Sequence, residues 1–279
     1  MNPGVSKCSR RDFMESFSTV KKRIVYLSII FFSFIPKQVS GQDFNHNLFW
    51  FRLVFADKFN ERWRWETYLQ SRTQNGMKSK ANMFEANHMQ NLWIWFSYKA
   101  TDHLKVNISP VGIFRSSMYI ASSTEQDQEP VNEYRISLRL DQESKYSRFT
   151  YSTRVGVESR WREIYRDDQY HQNFRFRYVA RVDVPLFKKS DGTSRFTFTV
   201  YNETMLQAGP AVRNFPNVFD QNRVYTGGAT NVSPNIKFNL GYIFMIQQRL
   251  NGKDFDKGHT IWAILTFDNL FSGFRKAKS

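Results

Sequence analysis

The feature that most constrains this chain is an alternation of residue character that runs too long for an ordinary sheet. Between Lys145 and Glu158, Phe149, Tyr151, Thr153, Val155 and Val157 alternate with Arg148, Thr150, Ser152, Arg154, Gly156 and Glu158. From Phe174 to Val184, Phe174, Phe176, Tyr178, Ala180, Val182 and Val184 alternate with Arg175, Arg177, Val179, Arg181 and Asp183. A period of two sends successive side chains to opposite faces of a strand. Strands of soluble sheets average about five to six residues, whereas a strand crossing a bilayer needs about nine to eleven. One face here is apolar and the other carries arginine and carboxylate in mid-strand. The pattern predicts a transmembrane β-barrel.

The same alternation recurs at hairpin spacing. Further strands are expected at Leu48–Phe55, Arg62–Arg72, His88–Tyr98, His103–Phe114, Asn132–Asp141, Arg195–Met205, Gln221–Ala229, Asn235–Gln248 and His259–Asn269. Short connections at Ala56–Glu61, Lys99–Asp102, Gln142–Ser144, Lys188–Ser194 and Asn231–Pro234 alternate with long polar ones at Thr73–Asn87, Ser116–Val131, Ser159–Asn173, Leu206–Asp220 and Asn251–Gly258. Short periplasmic turns and long external loops produce this pattern. Single-chain bacterial barrels normally have an even number of strands. An extra strand near Met77–Phe84, after the Asn75-Gly76 turn signal, would supply it. The expected fold is therefore all-β: an antiparallel up-and-down transmembrane barrel of about twelve strands, with ten as the alternative.

A secreted soluble β-sandwich would also alternate. Strand length weighs against it, as does the aromatic content of 17%. Trp63, Trp65, Trp93, Trp95, Phe174, Phe176, Phe196 and Phe198 are assigned to lipid-facing, apolar faces.

Residues 1–41 read as a leader. Lys21-Lys22-Arg23 is a basic start, residues 24–35 form an apolar run too short to span a bilayer as a helix, and Val39-Ser40-Gly41 precedes a cut at Gln42. Met14 offers an alternative start. Of the net charge of +15, the leader's seven basic and two acidic residues carry +5, leaving +10 for residues 42–279, expected to form one barrel domain. The single cysteine, Cys8, lies in the leader. The exported portion would then hold no disulfide, thiolate metal site or cysteine nucleophile. Export places the barrel in the outer membrane. Its partners there are membrane lipid, lipopolysaccharide and the barrel assembly machinery, with Arg160, Arg162 and Arg166 as basic rim residues facing lipopolysaccharide phosphates. Nucleic acid is not an expected partner.

Projected inward, the polar faces bring together Arg64, Glu66, Glu133, Arg135, Arg139, Arg148, Arg154, Glu158, Arg175, Arg177, Arg181, Asp183, Glu203 and Arg223. Cross-strand arginine–carboxylate pairs could fill the lumen and fix strand register. The arginine excess could instead line a narrow pore or transporter for small, anionic solutes. An enzyme on the barrel wall, acting on lipid or lipopolysaccharide, is the alternative, and a closed structural or adhesive barrel a third. Catalysis is not expected. His103 shares an inferred inward face with Ser109, six positions away and out of hydrogen-bond reach. His171 lies in a long loop beside Asp167, Asp168 and Tyr170, and His46, His88 and His259 have no nucleophile motif nearby. The sequence holds no His-Glu-x-x-His, calcium-loop or phosphate-loop spacing, so no metal or cofactor is expected.

The order of these features resembles a known family. Trp50 is followed by the Arg/Glu-alternating strand ending in Arg72, then by Glu133-x-Arg135, Arg154 with Glu158, and Arg175-x-Arg177. Glu203, Gln221-Asn222-Arg223-x-Tyr225-x-Gly227, Gly241-Tyr242 and a closing strand with His259 complete the series. Over about residues 44–270 the chain resembles the uncharacterised outer-membrane β-barrel family DUF2490, of the Bacteroidetes type. The resemblance implies an exported outer-membrane barrel and brings no activity, substrate or catalytic residue. Such barrels commonly end on an aromatic residue. Phe267 or Phe271 could serve here, but Phe274 to Ser279 trail beyond.

Overall fold

The computed structural model describes residues 41–165, 167–188, 194–269 and 271. The expected signal segment, Cys8, Arg166 and the tail after Phe271 lie outside the described residues. The chain forms β1 (Asp43–Lys58), β2 (Trp63–Gln74), β3 (Ala86–Lys99), β4 (Leu104–Ser116), β5 (Val131–Lys145), β6 (Thr150–Arg162), β7 (His171–Lys188), β8 (Ser194–Ala208), β9 (Phe219–Ser233), β10 (Ile236–Gln248) and β11 (Phe255–Asp268). One helical turn, α1 (Ser123–Gln126), lies in the β4–β5 connection. All eleven strands close into one barrel.

The expected count of twelve is corrected to eleven among the described residues. The segment proposed as the extra strand forms turns inside the β2–β3 connection. Its backbone groups turn to side chains: Lys78 N and Ser79 N donate to the Glu85 carboxylate, both at 3.2 Å, and Asn47 Nδ2 donates to Lys80 O at 2.7 Å. The barrel is also not antiparallel throughout. With an odd number of strands and hairpins everywhere else, the closing pair must run parallel. β1 and β11 do so, from Asp43↔Phe255 to Ala56↔Asp268. This register keeps inward residues beside inward residues, as at Leu48↔Thr260 and Trp50↔Trp262, and stacks Phe55 on Phe267 with ring centroids 5.5 Å apart. The chain thus enters β1 at the long-loop end and leaves β11 at the short-turn end.

The expected alternation of short and long connections is present, with strands reaching a few residues beyond the expected limits. Outward side chains are apolar and exposed, as at Ile136, Leu138, Val155, Phe176 and Leu240. A band of this kind carried on strands of 12–18 residues fits lipid contact and is unlike the surface of a soluble domain.

Inward, the lumen is filled. Leu48, Trp50, Tyr119, Tyr225, Ile243 and Met245 form one buried cluster, and Val54, Ala56, Tyr68, Trp93, Trp95 and Phe114 form another. Trp93 and Trp95 were expected on the lipid face, and the register corrects this. Leu92-Trp-Ile-Trp-Phe96 is apolar on both faces, so hydropathy cannot choose between them. Pairing of Tyr68 with Trp93 and Glu66 with Trp95 turns both indoles inward, where Trp95 lies 4.3 Å from the Arg139 guanidinium. Trp63 and the phenylalanines Phe174, Phe176 and Phe198 do face outward.

The β4–β5 connection folds back into the long-loop mouth. Gln74 holds it twice: Nε2 donates to Met118 O at 2.9 Å, and Ile120 N donates to Oε1 at 3.2 Å. The Tyr119 ring then lies 4.1 Å from that of His88 and 5.1 Å from that of His46.

Candidate functional site

The inward charges separate into two groups along the barrel. Near the short turns, Arg64 pairs with Glu66 at 3.0 Å and Asp268 at 2.8 Å, Arg139 with Asp141 at 3.3 Å, Arg154 with Asp141 at 2.6 Å, and Arg181 with Asp183 at 2.7 Å. Arg148, expected in this set, instead sits exposed in the β5–β6 turn. The turn begins four residues later than expected, because β5 continues to Lys145, and this removes Arg148 from the wall.

Near the long loops, carboxylates are shared. Glu133, 3% exposed, accepts from Arg135 at 2.6 Å and Arg160 at 2.5 Å, with Arg162 at 3.5 Å. Glu158 meets Arg135 at 3.3 Å, Arg175 at 3.8 Å and Arg177. Glu203 binds Arg177 and lies 3.3 Å from Arg223. Arg175 also binds Asp220, a bulge residue on β9. Arg249 bridges Asp256, at 2.5 Å, and Glu125 of α1. His46 Nε2 lies 2.8 Å from the same Asp256. Arg177 reaches across the lumen to 5.9 Å from the Trp93 ring.

Between these groups and the mouth lies a cavity of about 340 Å³. Nine arginines line it (Arg52, Arg72, Arg135, Arg160, Arg162, Arg175, Arg177, Arg223 and Arg249), against three carboxylates, Glu133, Asp220 and Asp256. Arg160 and Arg162, expected on the rim against lipopolysaccharide, face this cavity instead, because Glu133 draws both inward.

Several lumen residues escaped sequence reasoning. Arg52 is a lone polar residue among Phe51, Leu53 and Val54, in a strand apolar on both faces. Asp220 lies at a bulge, where parity fails. Arg249 and Asp256 lie at the edge of an expected loop. Asp141 ended an expected strand that continues past it.

His88 lines the cavity, whereas His103, His171 and His259 stand apart from it. His103 is exposed, with Nδ1 3.2 Å from Glu143 O, and shares no inward face with Ser109. His259 Nδ1 lies 2.7 Å from the Tyr242 hydroxyl on the outer face. His171 Nε2 is 2.7 Å from Asp167, and this hydrogen bond holds the Asp167 carboxyl below its usual range. At the mouth, Asp254 accepts from Gln42 N at 2.8 Å, and this backbone hydrogen bond likewise lowers its pKa.

An apolar exterior around a lumen packed with arginine, carboxylate and aromatic side chains defines a β-barrel of the outer-membrane type, with an arginine-walled cavity toward its long-loop mouth. The chain belongs to the family of proteins of unknown function DUF2490, whose model matches residues 47–256. Among solved structures it is similar to the NanC porin in a rhombohedral crystal form (13% identity, TM-score 0.44, 74% of this chain and 86% of that one). It is also similar to LpxR from Salmonella typhimurium (10%, TM-score 0.42, 73% and 83%). A third similar structure is the siderophore receptor PirA from Pseudomonas aeruginosa (13%, TM-score 0.29, 68% and 32%). No curated protein matches the sequence.

Proposed function

We propose that the protein is an outer-membrane barrel that accepts small anionic solutes at its long-loop end and passes them through a lumen that is closed at rest. The observation that carries this reading is the composition of the cavity wall, nine arginines against three carboxylates, an excess that remains when the arginines' other partners, Glu125, Glu158 and Glu203, are counted. Arginine rings favour anions, and their field raises the local concentration of an anionic solute at the mouth. Closure at rest is supported by the packing of Trp50, Met205, Ile243 and Met245, each at most 1% exposed. The outer-membrane location is supported by the leader sequence and by the alternation of short and long connections. The reading is of a binding and transport barrel, not a hydrolase.

Planar-bilayer recording under a salt gradient tests it. Small, intermittent currents with an anion-selective reversal potential are expected. A large steady conductance or cation selectivity contradicts the reading, and silence at every voltage removes passage from it.

A further inference from the structure

Most arginines in the cavity wall share a carboxylate, but Arg52 and Arg72 have none within 4 Å among the described residues. Arg72 is 8% exposed, and its guanidinium lies 3.8 Å from the Trp50 ring. Arg52 sits between Tyr68 and Trp262, at 5.0 and 4.9 Å. Both lean on the same neutral atom. Gln70 Oε1 accepts from Arg52 Nη2 at 2.8 Å and from Arg72 Nη2 at 3.5 Å, while Asn91 Nδ2 lies 3.4 Å away. The Nε atoms of Arg52, Arg72 and Arg223 are buried without a partner.

Arginine does not shed its proton to escape this situation. A buried charge without a counter-ion is unfavourable, and one amide oxygen is a weak substitute. Aromatic stacking offsets part of the penalty and holds the forks in fixed planes. Such forks match the two oxygens of a carboxylate or phosphate. The same cavity is walled by Met89, Trp93 and Phe114. Its volume of about 340 Å³ suits a small ligand and is too small for a two-chain lipid.

We infer that the cavity holds a small, water-soluble organic oxyanion. Its carboxylate or phosphate group engages Arg52 and Arg72 above Gln70, and its apolar body lies against Met89, Trp93 and Phe114. This rests on the proposed anion reading and names the ligand chemistry and the residues that recognise it.

Isothermal titration of the full-length protein, in phosphate-free neutral detergent, tests it with four probes: phenyl phosphate, benzoate, inorganic phosphate and benzyl alcohol. Phenyl phosphate and benzoate should bind at one saturable site and be displaced by excess inorganic phosphate. Benzyl alcohol, with the same ring and no charge, should not bind. Arg72→Gln should weaken phenyl phosphate at least tenfold, and Arg148→Gln, in the far turn, should leave it unchanged. Arg72→Lys keeps the charge but loses the fork and should fall between, which keeps the test decisive if the glutamine variant fails to assemble. Absence of saturable binding by all three anions overturns the inference, as does equal binding by the native protein and both Arg72 variants. Binding that depends on Arg72 in a barrel that stays silent in bilayers would sink passage and keep the site. Anion-selective current without saturable binding would do the reverse.

Discussion

Near the short turns, Arg154 meets Asp141 at 2.6 Å with 39% of its side chain exposed, and Arg181 meets Asp183 at 2.7 Å with 40% exposed. Near the long loops, Arg135, Arg160 and Arg162 crowd one Glu133 that is 3% exposed, and Arg72 has no carboxylate within 4 Å among the described residues. Both regions are built from the same residue types on the same alternating strands. Water makes the difference. Where it reaches the pairs, their attraction is screened and they do little more than line the wall. Where packing excludes it, every unmatched charge is expensive to keep, and the surplus of cations becomes a binding feature. The lumen thus has a passive end and a poised end.

The largest effect is expected at the poised end. Glu133→Gln leaves Arg162 with no carboxylate within 4 Å among the described residues and takes the nearest one from Arg135 and Arg160. It should destabilise the barrel by about 3–5 kcal/mol, read by urea unfolding in detergent or vesicles. A loss below about 1 kcal/mol would mean that water relieves this cluster as it does the other. Next in size is the outer wall. Leu138→Arg, outward at the middle of β5, should destabilise by about 2–4 kcal/mol in bilayers. Ser152→Arg, on an inward face near the short turns, should be milder. Equal tolerance at the two positions would count against lipid contact. At the passive end, Arg64→Ala removes a pair whose partners are 25% and 38% exposed, and about 0.5 kcal/mol is expected by the same unfolding assay. The smallest effect lies in the β6–β7 loop. The Asp167 carboxyl is depressed by His171, so its contribution is present above the ordinary aspartate range and fades as pH falls through the lowered value. Hydrogen-exchange protection around residues 167–171, taken relative to the intrinsic amide rate at each pH, should fall only on that acid side. A loss of protection on the alkaline side instead would assign the loop's order to another group.

The wall of the barrel was legible because period-two patterning survives wherever one face is polar, as in β5 to β8. It failed where both faces are apolar: in β3, where Trp93 and Trp95 gave no sign of direction, and in β1, where Arg52 looked incidental. The strand count was beyond reach for a different reason. Evenness follows from antiparallel pairing throughout, and no local signal announces that β1 and β11 pair in parallel. The inward charges were found largely as a set, but their matching was not. Which carboxylate serves which arginine depends on register and on bulges such as the one that turns Asp220 inward. The surplus at Arg52 and Arg72 emerges only once those pairings are counted.

The contrast between the two ends is tested most directly by thermal unfolding of Arg72→Met in ligand-free buffer. Methionine keeps the apolar stem against Trp50 and removes the unmatched charge. An unfolding midpoint equal to or above that of the native protein is expected, because replacing a poorly compensated buried ion by an apolar side chain is often neutral or stabilising. A fall comparable to that of Glu133→Gln would show that Arg72 is already paired as well as its neighbours, and would contradict a cavity poised for an anion.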